Sequence, residues 1–297
     1  MPPARAGLRY LAVSTLLFGG IWPVTKHALA HATPLWFALN RAGLAAVVSA
    51  IVLALVGRLR VPSLADLPSV AAIGLLQLGA FFALTHLALD FVPAGRTAIL
   101  CNVTVYWLVP LSVLFLGERV APRQWVAAAL GLGGVLALMA PWAAAPGGGG
   151  SSAGMFAGYA LLLGASLAWS IAILVTRRFP PGRPVLDLLP WCFALGAFLL
   201  LPMALLREPA GGIGREAWLH AAFVGAVAAP IGTWATTEAG RRLSGMLASL
   251  GFLMIPAFGL ALSNLWLGET LGWDVLLGCA LILAGVAVAA GAARGGS

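Results

Sequence analysis

The residues best suited to bind a small molecule lie inside long apolar stretches of this sequence. Trp107 and Trp169 fall near the middle of two such stretches, and each has small polar residues within one helical turn. An indole ring can stack on an apolar group while its N–H group and nearby hydroxyls hydrogen-bond a polar head. Helix packing is the alternative interpretation of a single tryptophan. The complete set predicted for substrate binding and transport is Trp22, Arg41, His86, Asn102, Tyr106, Trp107, Ser166, Trp169 and Ser170.

Two members of this set, Arg41 and His86, are ionisable and could bind a charged group or a proton. Placing a charge in lipid is costly, so an ionisable group within an apolar span is a functional candidate. His86 titrates near neutral pH and could couple transport to protons, or it could stay neutral and bond to a neighbouring backbone group. The planar fork of Arg41 could hold a carboxylate. Its long side chain could equally extend to the lipid head groups.

Reaction chemistry is not indicated by any other motif. The sequence contains no nucleophile elbow, paired catalytic carboxylates, metal-ligand cluster or ATP-binding motif. We therefore expect no catalytic residues, metal or cofactor, and a membrane enzyme is disfavoured. Glu118 and Glu269 both follow Leu-Gly at helix junctions, where a carboxylate favours a helix N-terminus. They are interpreted as capping and turn residues, and proton sites are the alternative.

The composition predicts the elements that position these residues. A mean hydropathy of +1.00 with only 9% charged residues is typical of an integral membrane protein. Ten apolar runs are each long enough to cross a hydrocarbon core of about 30 Å as a helix. The first could instead be a secretory signal, but its removal would leave nine spans. The runs lie at about 10–30, 34–56, 67–89, 93–116, 122–142, 155–176, 185–206, 217–238, 244–267 and 273–292.

An internal duplication organises these runs. Residues 116–135 and 267–286 are identical at 8 of 20 positions, at an offset of 151. Because each half holds five helices, an odd number, the second half must be inverted in the membrane. The predicted fold is thus all-α, with ten transmembrane helices in two inverted five-helix repeats. The repeats occupy residues 1–145 and 154–297, and a Gly/Ser linker at 146–153 joins them.

Small residues at matching positions predict close packing of helices 5 and 10, or a dimer contact. Ala129 and Gly133 correspond to Ala280 and Ala284, with the small-xxx-small spacing that lets helix backbones approach in lipid. The expected state is a monomer or a homodimer.

The distribution of basic residues predicts the orientation. With the N-terminus inside, twelve Lys and Arg residues fall in the cytoplasmic segments and five in the opposite set. The positive-inside rule then places both termini in the cytoplasm. These residues form no continuous stripe, so the expected partners are the bilayer and a small molecule, and not nucleic acid. The preference for Arg over Lys is typical of a GC-rich bacterial genome and suggests a bacterial inner membrane.

On these features the chain resembles the drug/metabolite transporter superfamily with two EamA-type domains. The resemblance covers the two five-helix repeats, Gly-aromatic elements ending at Trp22 and Trp169, and Leu-Gly-Glu after helices 4 and 9. Pro256 fits the family pattern in the second repeat, whereas the first repeat has Val105 there, so the bend of helix 4 is expected to differ.

This resemblance implies a secondary transporter that exports small metabolites by alternating access. His86, Trp107 and Trp169 are most similar to the branch that exports aromatic and other neutral amino acids. The alternative is a drug exporter or a sugar-phosphate or nucleotide-sugar carrier of the same superfamily. A phosphate-bearing substrate would need several cations facing the cavity. A passive channel is a further alternative.

Overall fold

Helices form nearly all of the residues that the structure, a computed structural model, describes: 3–118, 122–139, 152–243, 248, 251–252 and 254–292. An isolated antiparallel bridge joins Ala32 and Ile213 in two turns. The helices are α1 (Pro3–Ala28), α2 (Pro34–Leu55), α3 (Leu67–Ala88), α4a (Ala94–Leu100), α4b (Thr104–Leu116), α5 (Pro122–Met139), α6 (Ser152–Arg178), α7 (Val185–Arg207), α8 (Arg215–Arg242), α9 (Met254–Leu267) and α10 (Trp273–Ala292).

Six of these helices, α1, α2, α3, α6, α7 and α8, are long and apolar enough to cross a membrane. Shorter apolar helices include Tyr106–Leu116 and Met254–Leu267. Large apolar side chains such as Leu55, Leu114 and Leu206 are exposed, as expected of a surface that faces lipid. These features confirm an all-helical membrane protein. The start of the ninth apolar run lies largely outside the described residues, and the count of ten spans stays a prediction.

The duplication is visible in the backbone geometry. A π-helical segment at Ala72–Ala80 in α3 has a counterpart at Phe223–Ala228 in α8, and the two begin 151 residues apart. Gly117 ends α4b with φ of 64°, and Gly268 follows α9 with φ of 67°, again 151 residues apart. This left-handed conformation favours glycine because a Cβ would clash there. The offset found in the sequence therefore also relates special backbone conformations.

The fourth apolar run is interrupted, although the sequence predicts one helix over 93–116. The Asn102 side chain donates to the carbonyl oxygen of Ala98 at 2.7 Å, so it competes with the backbone for this acceptor. The backbone N–H groups of Asn102 and Val103 bond three residues back, to Ile99 and Leu100. These contacts tighten the chain into a turn and separate α4a from α4b. The turn forms without a proline at position 105.

Helices α5 and α10 pack closely, as the sequence predicts, but through other small residues. A Cβ at Gly134 would lie 2.8 Å from the Gly278 carbonyl oxygen, and one at Gly285 would lie 2.8 Å from that of Ala127. Ala129 and Ala280 are instead exposed. The glycines let the two backbones approach. The dimer contact stays a prediction.

The predicted linker at 146–153 lies outside the described residues up to 151, and α6 already begins at Ser152. Arg119 and Arg294, which contribute to the predicted orientation, are also outside the described residues.

Carboxylates join the two repeats at one end of the bundle. Glu269 accepts hydrogen bonds from the backbone N–H groups of Ala94 and Gly95 at 2.6 and 2.8 Å, so it caps the start of α4a in the other repeat, whereas the sequence predicts capping at its own helix junction. Glu208 accepts from the N–H groups that begin α2, including that of Leu35 at 3.0 Å. Glu118 lies 3.8 Å from Arg177 in an exposed ion pair, and residues 119–121, which it would cap, lie outside the described part of the chain, so its capping role stays a prediction.

Candidate functional site

The turn between α4a and α4b positions Trp107 against α6. Ser170 donates to the Thr104 carbonyl oxygen at 3.0 Å, so α6 binds the first residue of α4b. One turn further along α4b, the Trp107 Nε1–H group donates to Ser166 Oγ at 2.9 Å. Ser166 in turn donates to the carbonyl oxygen of Leu163 at 2.9 Å. These contacts bring three predicted site residues, Trp107, Ser166 and Ser170, together.

Trp169 lies on α6 between the two serines in sequence and packs against α3. Its ring contacts Phe81 edge-to-face, with the ring centroids 4.7 Å apart and an interplanar angle of 66°. Phe81 lies beside Phe82, with a centroid separation of 6.3 Å. These two rings begin the α-helical part of α3, directly after its π-helical segment. They extend the aromatic surface from α6 toward α2.

Arg41 and His86 lie at the far end of this aromatic line. The guanidinium carbon of Arg41 is 3.9 Å from the centroid of the Phe82 ring, a cation–π contact. His86 Nδ1 is 2.7 Å from the Phe82 carbonyl oxygen, and the imidazole lies against Phe37 with centroids 5.8 Å apart. Because a carbonyl only accepts, Nδ1 must carry the proton of this bond. Phe82 therefore contacts both ionisable groups.

Several polar atoms of this cluster lack a partner among the described residues. They are Nε and Nη1 of Arg41 and Nε2 of His86, all in contact with almost no solvent. Arg41 is 6% exposed and His86 1% exposed. The extension of Arg41 to the lipid head groups, the alternative from the sequence, does not match this burial.

Gly225 allows the backbone of Arg41 on α2 to lie close to α8. A Cβ at position 225 would lie 3.1 Å from the Arg41 carbonyl oxygen and 3.2 Å from its Cα. Gly225 belongs to the π-helical segment of α8. The lack of a side chain thus allows α2 and α8 to approach at the residue that carries the buried cation.

The structure places three predicted residues in other surroundings. The Tyr106 hydroxyl donates to the Ile282 carbonyl oxygen at 2.6 Å, and its ring fills the space beside Gly131, so it contacts α5 and α10. Asn102 lies in the turn between α4a and α4b and donates to the Ala98 carbonyl oxygen of α4a. Trp22 is buried on α1 close to Gly259 of α9. A surface depression of about 440 Å³ at residues 29–33 and 210–214 includes none of the nine predicted residues.

Phe37, Phe81, Phe82 and Gly225 are absent from the predicted set. A signal was present for Phe82, which precedes His86 by four residues and must share its helix face. No pattern along the chain connects Phe81 with Trp169 or Gly225 with Arg41. These contacts join different helices.

Charged groups lie just beyond the end of α3. Burial raises the pKa of the Asp90 carboxyl, and the positive charge of Lys26 opposes this shift. The Lys26 ammonium donates to the Leu89 carbonyl oxygen. Lys26 thus already has a partner at this helix end, in contrast to Arg41.

The arrangement can bind but shows no feature of a reaction centre. Aromatic rings offer stacking. The Trp107 N–H group bonds to Ser166, and both serine hydroxyls donate to backbone carbonyl oxygens. Arg41 and His86 keep hydrogen-bonding capacity. Among the described residues, no group of three or more His, Cys, Asp or Glu side chains is placed to hold a metal ion.

The chain belongs to the EamA-like transporter family, whose domain matches twice, at residues 5–140 and 156–291. This agrees with the duplication and with the superfamily resemblance found in the sequence. The family and the names of the relatives are those of transporters and indicate no enzyme.

Curated relatives cover most of the chain at low identity. The uncharacterized transporter YdeK of Bacillus subtilis is 28% identical over 89% of this chain and 90% of its own length. A probable terminal-alkyne amino-acid exporter of Streptantibioticus cattleyicolor is 25% identical over 93% and 90%. A probable amino-acid metabolite efflux pump of Salmonella typhimurium is 27% identical over 69% and 70%. A solved crystal structure with 20% identity shares the fold, with a TM-score of 0.66 over 98% of this chain and 97% of that one.

Proposed function

We infer that this chain is a secondary transporter that exports small metabolites, with aromatic and other neutral amino acids as its substrates. The observation that carries this proposal is the line of side chains from Trp107 and Trp169, through Phe81 and Phe82, to Arg41. Such a line suits a ligand with an apolar ring at one end and a polar head at the other. Two relatives named as amino-acid exporters or efflux pumps support the same substrate class.

The proposed topology is ten transmembrane helices in two inverted five-helix repeats, with both termini in the cytoplasm of a bacterium. The equal offsets of the π-helical segments and of the left-handed glycines support the repeat. The excess of basic residues in alternate segments supports the orientation. Inversion would let the two repeats exchange access between the two sides of the inner membrane. Tags that locate the N- and C-terminal tails on opposite sides of the bilayer would contradict this topology.

Efflux from proteoliposomes tests the transport function. Vesicles that contain the purified protein are loaded with radiolabelled L-tryptophan or with a sugar phosphate, and release is compared with that from protein-free vesicles. We expect saturable release of tryptophan. Release that rises linearly with concentration would indicate a channel, and release of the sugar phosphate alone would indicate the alternative branch. A phosphate carrier needs several cations at its site, whereas the cluster described above contains one arginine.

A further inference from the structure

We propose that Arg41, held over Phe82 and beside His86, is a carboxylate-binding subsite that restricts transport to substrates with a free carboxylate. This inference rests on the proposed transport function and adds the group that the site recognises. The tryptophans would then bind the side chain of the substrate, and Arg41 its acidic head.

Arg41 is a buried cation, and burial of an unpaired charge is costly. A charge removed from water and left without a partner is strongly unfavourable, and inside a membrane protein such residues mark ligand or ion sites. Arg41 forms none of the ion pairs seen among the described residues, and two of its nitrogens have no hydrogen-bond acceptor. A ligand with negative charge would satisfy it.

The Arg41 guanidinium has the geometry that a carboxylate requires. The Phe82 ring interacts with the guanidinium as a π-system and supplies no oxygen to accept an N–H bond. Guanidinium N–H bonds lie in the plane of the group, and their fork matches the two oxygens of a carboxylate. Arg41 is thus positioned by an aromatic contact that leaves its Nε and Nη1 N–H groups available.

His86 adds a hydrogen-bond acceptor to this subsite. Its Nδ1–H donates to Phe82, which fixes the ring and leaves Nε2 without a partner. A neutral imidazole in this tautomer accepts a hydrogen bond at Nε2. The pair therefore offers donors from Arg41 and an acceptor from His86, a combination that fits a carboxylate carried next to an ammonium or hydroxyl group.

Three indole ligands with matched rings test the subsite: L-tryptophan, 3-indolepropionate, which lacks the ammonium group, and tryptamine, which lacks the carboxylate. Binding to the purified protein is measured by calorimetry or by thermal shift. We expect wild-type protein to prefer the two carboxylates over tryptamine. Arg41→Gln should weaken binding of both carboxylates about 10- to 100-fold, the loss typical of a charge-assisted hydrogen bond, and leave tryptamine binding unchanged. Arg207→Gln, at an exposed arginine, is the matched control.

The outcomes separate this subsite from transport itself. Equal binding of tryptophan and tryptamine by wild-type protein, or equal losses for both in Arg41→Gln, would overturn the carboxylate subsite while efflux could still occur. Absence of efflux for every amino acid with carboxylate-selective binding intact would contradict the transport function alone.

A ligand-free measurement gives an independent test. If Arg41 lacks a partner, Arg41→Met should unfold at the same temperature as wild type or higher, because an unsatisfied buried charge is removed. A large decrease in the unfolding temperature would show that Arg41 is satisfied within the protein, which would overturn the proposal.

Discussion

Arg41 and Arg96 are almost equally buried, at 6% and 8% exposure, yet their surroundings differ completely. Arg96 forms an ion pair with Asp274 at 2.5 Å and donates to the Leu138 carbonyl oxygen at 2.7 Å and to the Tyr159 hydroxyl at 3.1 Å. Its partners come from α5, α6 and α10, so Arg96 joins both repeats. Arg41 has an aromatic ring and an imidazole beside it.

The contrast shows how a buried charge can be assigned a role. A buried cation that stabilises the fold is paired with acceptors from the protein, because folding would otherwise leave it desolvated and unpaired. A buried cation that binds a ligand has free N–H groups when the ligand is absent. Arg96 is a cation that stabilises the fold, and we propose that Arg41 is a cation that binds a ligand.

Asp274→Ala should produce the largest effect, and that effect should be on stability. Removal of the carboxylate leaves Arg96 buried without its counter-ion, which typically costs about 3–5 kcal/mol. The free energy of unfolding is measured by denaturant titration of the purified protein in detergent. Glu118→Gln, which breaks the exposed pair with Arg177, is the control and should cost less than about 1 kcal/mol. Similar losses in the two variants would contradict the structural role of the Arg96 ion pair.

The sequence predicts the helical membrane fold and its duplication, because apolar runs and a fixed offset are properties of the chain itself. It also predicts Trp107, Trp169 and His86 as site candidates. Arg96 enters the prediction only as one of the basic residues counted for orientation, and no role is predicted for Asp274. The two residues are 178 positions apart. An ion pair between residues so far apart in the chain depends on how the helices pack, and a single sequence does not show which helices are neighbours.

Local backbone contacts also leave no trace in the pattern of apolar residues. Asn102 stays a predicted binding residue, and its side chain donates to the Ala98 carbonyl oxygen of α4a, beside the turn that interrupts the fourth run. The π-helical segments of α3 and α8 leave no signature in hydropathy. They lie where glycines such as Gly74 and Gly225 allow a neighbouring helix to come close.

Trp169→Ala should reduce efflux about tenfold, because it removes the aromatic contact with Phe81 and the proposed surface for the substrate ring. Initial rates of tryptophan efflux from proteoliposomes measure this, with the amount of inserted protein quantified. Trp218→Ala is the control, since Trp218 is half exposed on α8. Undiminished efflux would exclude Trp169 from the site. It would also contradict the proposal that one substrate contacts both Trp169 on α6 and Arg41.

Trp107→Ala should also reduce efflux, but by a smaller factor. Its indole N–H is already bonded to Ser166, so only its ring is available to a substrate. Trp107→Phe separates the two roles: it keeps an aromatic ring and loses the bond to α6. Efflux near the wild-type rate in Trp107→Phe, with a loss in Trp107→Ala, is the expected pattern. The reverse order would indicate that the hydrogen bond, and not the ring, matters for transport.

His86→Ala should reduce tryptophan efflux by a small factor and leave its dependence on pH between about 5.5 and 8 unchanged. The imidazole is 1% exposed, its Nδ1–H donates to Phe82, and the Arg41 cation contacts the same phenylalanine, so this environment disfavours a second proton on the ring. His220→Ala, at a solvent-accessible histidine of α8, is the control. A pH profile that differs from that of wild type would show that the imidazole takes up a proton during transport. Unchanged efflux at every pH would contradict the hydrogen-bonding role proposed for Nε2.

Tyr106→Phe should have the smallest effect and should act on stability alone. Tyr106 resembles Arg96 in that its polar atom is already satisfied, here by the Ile282 carbonyl oxygen at 2.6 Å. Loss of one hydroxyl that bonds a backbone carbonyl typically costs about 1 kcal/mol, and the phenyl ring still fills the space beside Gly131. Efflux should stay at the wild-type rate while the unfolding temperature falls slightly. Impaired efflux with normal stability would place Tyr106 on the substrate route, and a satisfied hydrogen bond would then no longer distinguish residues of the fold from residues of the site.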